Sequence, residues 1–185
     1  MRAIRRLVCA SMQIGGLCLT QAAAQLPPEA QAAGDAWLQK DCSVGEQDRL
    51  SPVLRKFKEQ FEPFFLDALN NGPPPQLLNQ IEATASKIFD LRKAVLQTGK
   101  GVGLSGADLE AIRRVTREQY IAQERGNFVI SYKSRAVAGL GIAAGDRGKA
   151  ALRALAADSL SPLQGLAREA LSQLQTAPGK AKTKK

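Results

Sequence analysis

Two glycine-rich stretches of this chain have the residue types that cradle phosphate. Gly101-Val-Gly-Leu-Ser-Gly106 fits the spacing G-x-G-x-x-G. In a dinucleotide site that turn follows a strand, so that backbone N–H groups face the pyrophosphate. Here a long helical pattern precedes it and no βαβ pattern exists, so the stretch reads as a loop between helices. Gly145-Asp146-Arg147-Gly148-Lys149 hints at a phosphate loop. The required spacing puts glycine at 143 and Ser or Thr at 150, and both positions are alanine, Ala143 and Ala150. Gly145-Asp146 reads instead as a helix C-cap followed by an N-cap.

Other chemistries are excluded by composition. The chain has no histidine. That removes Ser-His-Asp and Cys-His catalysis, and His-ligated zinc, copper and haem. Of three cysteines, Cys9 and Cys18 fall in the leader described below, which leaves Cys42 alone. A disulfide framework is excluded; Cys42 reads as a buried, inert thiol, a link between chains or a reactive thiol. The acids Glu82, Asp90, Glu118 and Glu124 sit among basic neighbours on helices, the pattern of a solvated face. No catalytic, cofactor-binding or metal-ligating residue is expected.

The N-terminus carries an address. Arg2, Arg5 and Arg6 precede an apolar stretch from Leu7 to Leu19, and Ala22-Ala23-Ala24 follows. This is the order of a cleavable signal peptide, with cleavage after Ala24. The apolar stretch is shorter than the roughly 20 residues that span a bilayer. The downstream run Ala136 to Gly145 is closed by Arg135 and Asp146. The reading is therefore an exported protein of the bacterial periplasm or exterior, without stable membrane insertion after cleavage.

Export changes the charge balance. The whole chain has a formal charge of +9. Three bases leave with the leader, and Lys180, Lys182, Lys184 and Lys185 crowd the C-terminus. The body between is about +2 and has no strong electrostatic footprint for nucleic acid. Arg113, Arg114 and Arg117 stand at helical i,i+3 and i,i+4 spacing, and with Lys133 they form a candidate interaction face for an acidic partner.

Helical periodicity dominates the body. A short helix over 29–39 is predicted to bury Trp37 and Leu38, and a polar turn follows from Asp41 to Asp48. Ser51-Pro52 looks like an N-cap with proline at the first helical position. The helix it opens, 52–69, aligns Phe57, Phe61, Phe64, Phe65 and Leu69 as core, with a kink at Pro63. After Asn70-Asn71-Gly72-Pro73-Pro74-Pro75, a helix over 76–98 carries Leu77, Leu78, Ile81, Ala85, Ile88, Phe89 and Val95 as one stripe. Ser105 and Asp108 suggest a capping box for a helix over 106–124. Further helices are predicted near 127–143, 147–157 and 162–175, the last opened by Ser161-Pro162.

The C-terminal end repeats. Tyr132-Lys-Ser-Arg-Ala136-Val-Ala-Gly139-Leu140-Gly141 aligns with Leu163-Gln-Gly-Leu-Ala167-Arg-Glu-Ala170-Leu171-Ser172. Small residues recur at Ala136/Ala167 and Gly139/Ala170, and leucine at Leu140/Leu171. Stacked helix pairs need such small positions for close approach. Residues 128–175 resemble a HEAT-type α-solenoid repeat, in which a helix of pattern Val/Leu-Arg-x-x-Ala-x-x-Ala-Leu-Gly alternates with a leucine-rich one across a Gly-Asp turn. The resemblance implies scaffolding and protein binding, without shared catalytic residues.

The expected fold is all-α: an irregular helical bundle or short HEAT-like array of six or seven helices after the signal peptide. One domain covers 25–176, and 177–185 is a basic disordered tail. The expected function is an exported, non-catalytic protein-binding or scaffold protein, with a protein partner, no nucleic acid and a possible homodimer. A periplasmic holdase-type chaperone is one alternative. A hydrolase using carboxylates or a Ser/Lys pair is the other, and would need two such groups converging in one pocket.

Overall fold

The computed structural model describes residues 26–39, 44–99 and 106–176. The leader with its cleavage site after Ala24, Cys42, Ser105 and the basic tail lie outside the described residues. Among the described residues there are eight helices and no strand. They form an irregular all-α bundle: α1 Pro28–Gln39, α2 Val44–Lys56, α3 Lys58–Asn71, α4 Pro75–Thr98, α5 Gly106–Arg114, α6 Arg117–Ala143, α7 Asp146–Ala157 and α8 Gln164–Thr176.

Helix α6 is the spine. Its 27 residues span roughly 40 Å at 1.5 Å per residue. The C-terminal half packs against α1, α2, α3 and α8, and α7 lies on α8 and α3. The main core gathers Trp37, Leu38, Leu54, Phe61, Phe65, Val137, Leu140 and Leu152. The N-terminal half pairs antiparallel with α4, as the ion pairs Arg117–Asp90 and Arg125–Glu82 show. There a second, smaller core holds Ala85, Phe89, Ile112 and Tyr120.

The small residues singled out in the repeat sit where helices cross. Ala136 and Ala167 are fully buried. Gly139 faces the Phe65 ring so closely that a Cβ would lie 2.5 Å from it. A Cβ on Gly141 would meet the Ala170 backbone at 3.2 Å. Between α1 and α6 the bonds are reciprocal: Trp37 Nε1 donates to the Arg135 carbonyl at 2.8 Å, and the Arg135 guanidinium donates to the Leu38 carbonyl at 2.9 Å. Leu38 lies in the last turn of α1, where carbonyls lack intrahelical partners.

Several boundaries differ from the sequence expectation. Helix α2 starts at Val44, so Pro52 lies inside it and Ser51 is no N-cap. Leu50 and Leu54, on either side of Pro52, are both buried. Their packing outweighs the local start signal and the one backbone bond the proline removes. The polar turn expected to Asp48 is helical from residue 44. The single helix expected over 52–69 with a kink at Pro63 is instead broken at Phe57, where φ −109° and ψ 32° leave the helical region. Pro63 sits early in α3 and costs it only the bond to the Glu59 carbonyl.

The helix expected over 106–124 is two helices, broken at Val115-Thr116. Thr116 accepts from the Gln119 N–H at 3.2 Å, and Gln119 Oε1 accepts from the Thr116 N–H at 2.9 Å. This is a capping box, and Thr-x-x-Gln was its unread signal. Helix α6 then runs through Gly126 without the gap expected there. At 144–146 the residues shift by one: Ala144 is the C-cap, Gly145 the N-cap, and Asp146 opens α7. Helix α8 starts at Gln164, so Ser161 is not its N-cap and Pro162 is not its first residue; the Ser161 Oγ accepts from the Leu163 N–H at 3.2 Å within the turn that precedes the helix.

Candidate functional site

The phosphate-like loop at 145–149 has an anion built in. Glu62 of α3 points at the N-terminus of α7, and its Oε1 accepts from the Gly148 N–H at 2.6 Å. A Cβ on Gly145 would come within 2.9 Å of Glu62, so the glycine makes room for the carboxylate. Helix N-termini favour negative charge, and here the protein supplies it from its own chain. Gly106, the described end of the other glycine-rich stretch, opens α5 with helix α4 upstream.

The four cations of the candidate interaction face do not share a helix face. Arg113 and Arg114 end α5, while Arg117 opens α6 beyond the break. Arg113 pairs with Glu110 on its own helix. Arg117 reaches across to Ser86 and Asp90 of α4. The single-helix spacing that grouped them fails because Thr116 caps a new helix. Lys133 lies 16 residues along α6 from Arg117, roughly 24 Å away along the axis.

Lys133 belongs to a different feature. An open groove of about 580 Å³ lies between the end of α3, the middle of α6, α7 and the turn after it. Leu69, Ile130, Ala151, Leu155 and Leu163 line it, with Lys133 and Asp158 among the lining residues. Ile130 is 48 % exposed, high for a side chain of this size. The Lys133 ammonium lies 3.5 Å from the Asn70 carbonyl, near the negative end of α3.

The turn beside the groove is tied down. Asp158 closes α7 through its N–H to the carbonyls of Ala154 and Leu155, and its Oδ1 accepts from the Leu160 N–H at 3.0 Å. The Ser161 hydroxyl holds the other side by accepting from the Leu163 N–H. Between them Leu160 is 92 % exposed. Two short polar side chains thus fix the backbone of a leucine that meets almost no protein.

A second groove, of about 510 Å³, runs along α3 past Leu26, Phe64 and Asn70. The phenylalanine stripe therefore divides. Phe61 and Phe65 are fully buried and stack at 5.5 Å, whereas Phe64 is half-buried and faces this groove. Two ionisable groups depart from their ordinary ranges. Hydrogen bonds from its own backbone N–H and from Thr116 hold the exposed Glu118 carboxyl below the usual range, with Arg117 adding to the effect. Burial pushes the Tyr132 phenol up, helped by the negative charges of Asp35 and Asp67. Among the described residues, no group of three His, Cys, Asp or Glu side chains could hold a metal ion. No helix there is long and apolar enough to cross a membrane.

Comparison with models of known families, with curated proteins and with solved structures gives no match. The functional reading rests on the groove and the turn beside it. Sequence reasoning named Lys133 but missed Ile130, Asp158 and Leu160. Only the polar turn residues Asp158 and Ser161, on either side of an apolar Leu160, could have pointed there.

Proposed function

We propose that this chain is an exported, non-catalytic protein-binding module that holds an apolar segment of a protein partner in the groove between α3, α6 and α7. The observation that carries the reading is the pinned turn, which keeps Leu160 92 % exposed next to a groove whose wall exposes Ile130. Grouped exposed apolar side chains with polar neighbours mark protein contact sites. Lys133 and Asp158 supply charges of both signs, which orient a bound segment more than they tighten it. The same reading takes α6 to α8 as HEAT-type helices; the buried small residues at their crossings support it.

The test places a photo-crosslinking residue at position 160 of the exported protein, with Cys42→Ser as a control for disulfide capture. Capture of one defined protein, lost on Ile130→Asp with helical content unchanged, is the expected result. Capture of many unfolded proteins would give the groove to a holdase. Equal capture from a crosslinker placed on the exposed Asp48 of α2 would sink the reading. Recovery of a chain beginning at Gln25 from the periplasm or medium tests export.

A further inference from the structure

Helix α4 is less buried than its sequence predicts. Of its apolar residues only Ala85 and Phe89 are buried, on the face toward α6. Leu96 packs against the same small core, and a second, mostly apolar line runs along the helix beside that face. Leu77, Ile81, Thr84, Ile88, Leu91, Val95 and Thr98 follow one another at alternating steps of four and three. That is heptad spacing, with β-branched Ile81, Ile88 and Val95 at one core position and Leu77, Thr84, Leu91 and Thr98 at the other. Leu77 packs on the main core and Ile81 and Val95 are half-buried, while Ile88 is 36 % exposed and Leu91 67 %. A 3.5-residue period is the pattern of a helix meeting another helix.

The charges beside the seam select the partner. Both acids of α4 turn toward α6, Glu82 to Arg125 at 3.0 Å and Asp90 to Arg117 at 3.1 Å. The flanking heptad positions carry the exposed Lys87 on one side and, on the other, Arg92, whose guanidinium lies over the Tyr120 ring of α6 at 5.7 Å. A second copy fits poorly. Parallel pairing would set Lys87 against Arg92, and antiparallel pairing centred on the seam would set Lys87 against its own counterpart, like charges in both cases. We infer that α4 docks an amphipathic helix of another protein, one that carries acidic side chains beside its apolar seam. This surface goes beyond the groove, which no residue of α4 lines.

The test uses fluorescence anisotropy of a labelled peptide of roughly three heptads, with Ile and Leu in the seam and Glu at both flanks. Its glutamates keep it from pairing with itself. The mature chain should bind it at least about tenfold more tightly than the same peptide with lysine flanks. Leu91→Asp should weaken binding about tenfold or more, and Lys87→Glu should narrow the preference about threefold, as one exposed charge pair allows. Ile130→Asp in the groove should leave peptide binding unchanged, which separates this surface from the proposed function. Equal binding of both peptides, no binding, or loss of binding in Ile130→Asp would each overturn the inference. So would a dimer of the chain alone, seen by sedimentation, that Leu91→Asp dissociates, since a second copy would then own the seam.

Discussion

Two glycines of the same helix should respond to alanine with opposite signs. Gly126 and Gly139 both lie inside α6, and both weaken it by about 1 kcal/mol relative to alanine through backbone entropy. Gly126 is exposed, and a Cβ there meets nothing within 4 Å. Gly126→Ala should therefore raise stability by about 1 kcal/mol. At Gly139 the new Cβ would lie 2.5, 2.6 and 2.7 Å from three atoms of the Phe65 ring. Carbon atoms rest at about 3.5–4.0 Å, so the ring would have to retreat by about 1 Å. Phe65 is fully buried and stacked on Phe61 at 5.5 Å, which leaves it nowhere to go. Overpacking of this kind costs about 1–3 kcal/mol, and the upper end applies here. Less the gain in propensity, Gly139→Ala should destabilise by about 2 kcal/mol. Urea unfolding followed by circular dichroism would read both as shifts in midpoint at constant slope. In a Phe65→Leu background the Gly139→Ala penalty should largely vanish, because the two sites are in contact. A Gly139→Ala midpoint at or above that of the parent would refute the close crossing of α3 and α6.

Other perturbations probe the same framework. Glu62→Ala removes the carboxylate from the start of α7 and should cost about 1–2 kcal/mol, with Glu62→Gln milder, measured by urea unfolding. Trp37→Phe keeps one aromatic ring, but it removes the rest of the buried indole and leaves the Arg135 carbonyl without its donor; a loss of about 2 kcal/mol or more is expected in thermal melts. Thr116→Ala should lower stability by about 1 kcal/mol and speed amide exchange at Gln119, whose N–H the threonine accepts. Tyr132 sets a pH dependence at the alkaline end. Its phenol is raised in the folded state, so the folded chain holds the proton more tightly than the unfolded one. The resulting stability is complete below about pH 10 and is lost as pH rises through the folded value. Tyr132→Phe should flatten that part of the melting-temperature profile, and an unchanged decline would place its source elsewhere.

The sequence was legible where one residue's chemistry decides a local outcome. Gly99 ends α4 in the left-handed conformation at φ 64°, as a glycine after a long helical stripe should. Trp37, Leu38, Phe61 and Phe65 are buried because their size and helical spacing leave few alternatives. The capping box at Thr116 was equally legible and went unread, and with it the break that separates Arg114 from Arg117. Pro52 misled because a start signal is worth little beside the burial of Leu50 and Leu54. On α4, periodicity could not say which of two overlapping apolar lines meets α6.

What the sequence determined by itself is the helical class, the positions of most helices and the absence of histidine chemistry. These follow from period, caps and composition, which act within a few turns of chain. Tertiary structure alone decided that Glu62 fills the anion site at α7, that Lys133 belongs to a groove with Leu155 and Leu163, and that Ile88 and Leu91 remain exposed. Each depends on which helix lies beside which. That choice is made by small residues at crossings such as Gly139, whose effect is a distance between segments far apart in the chain.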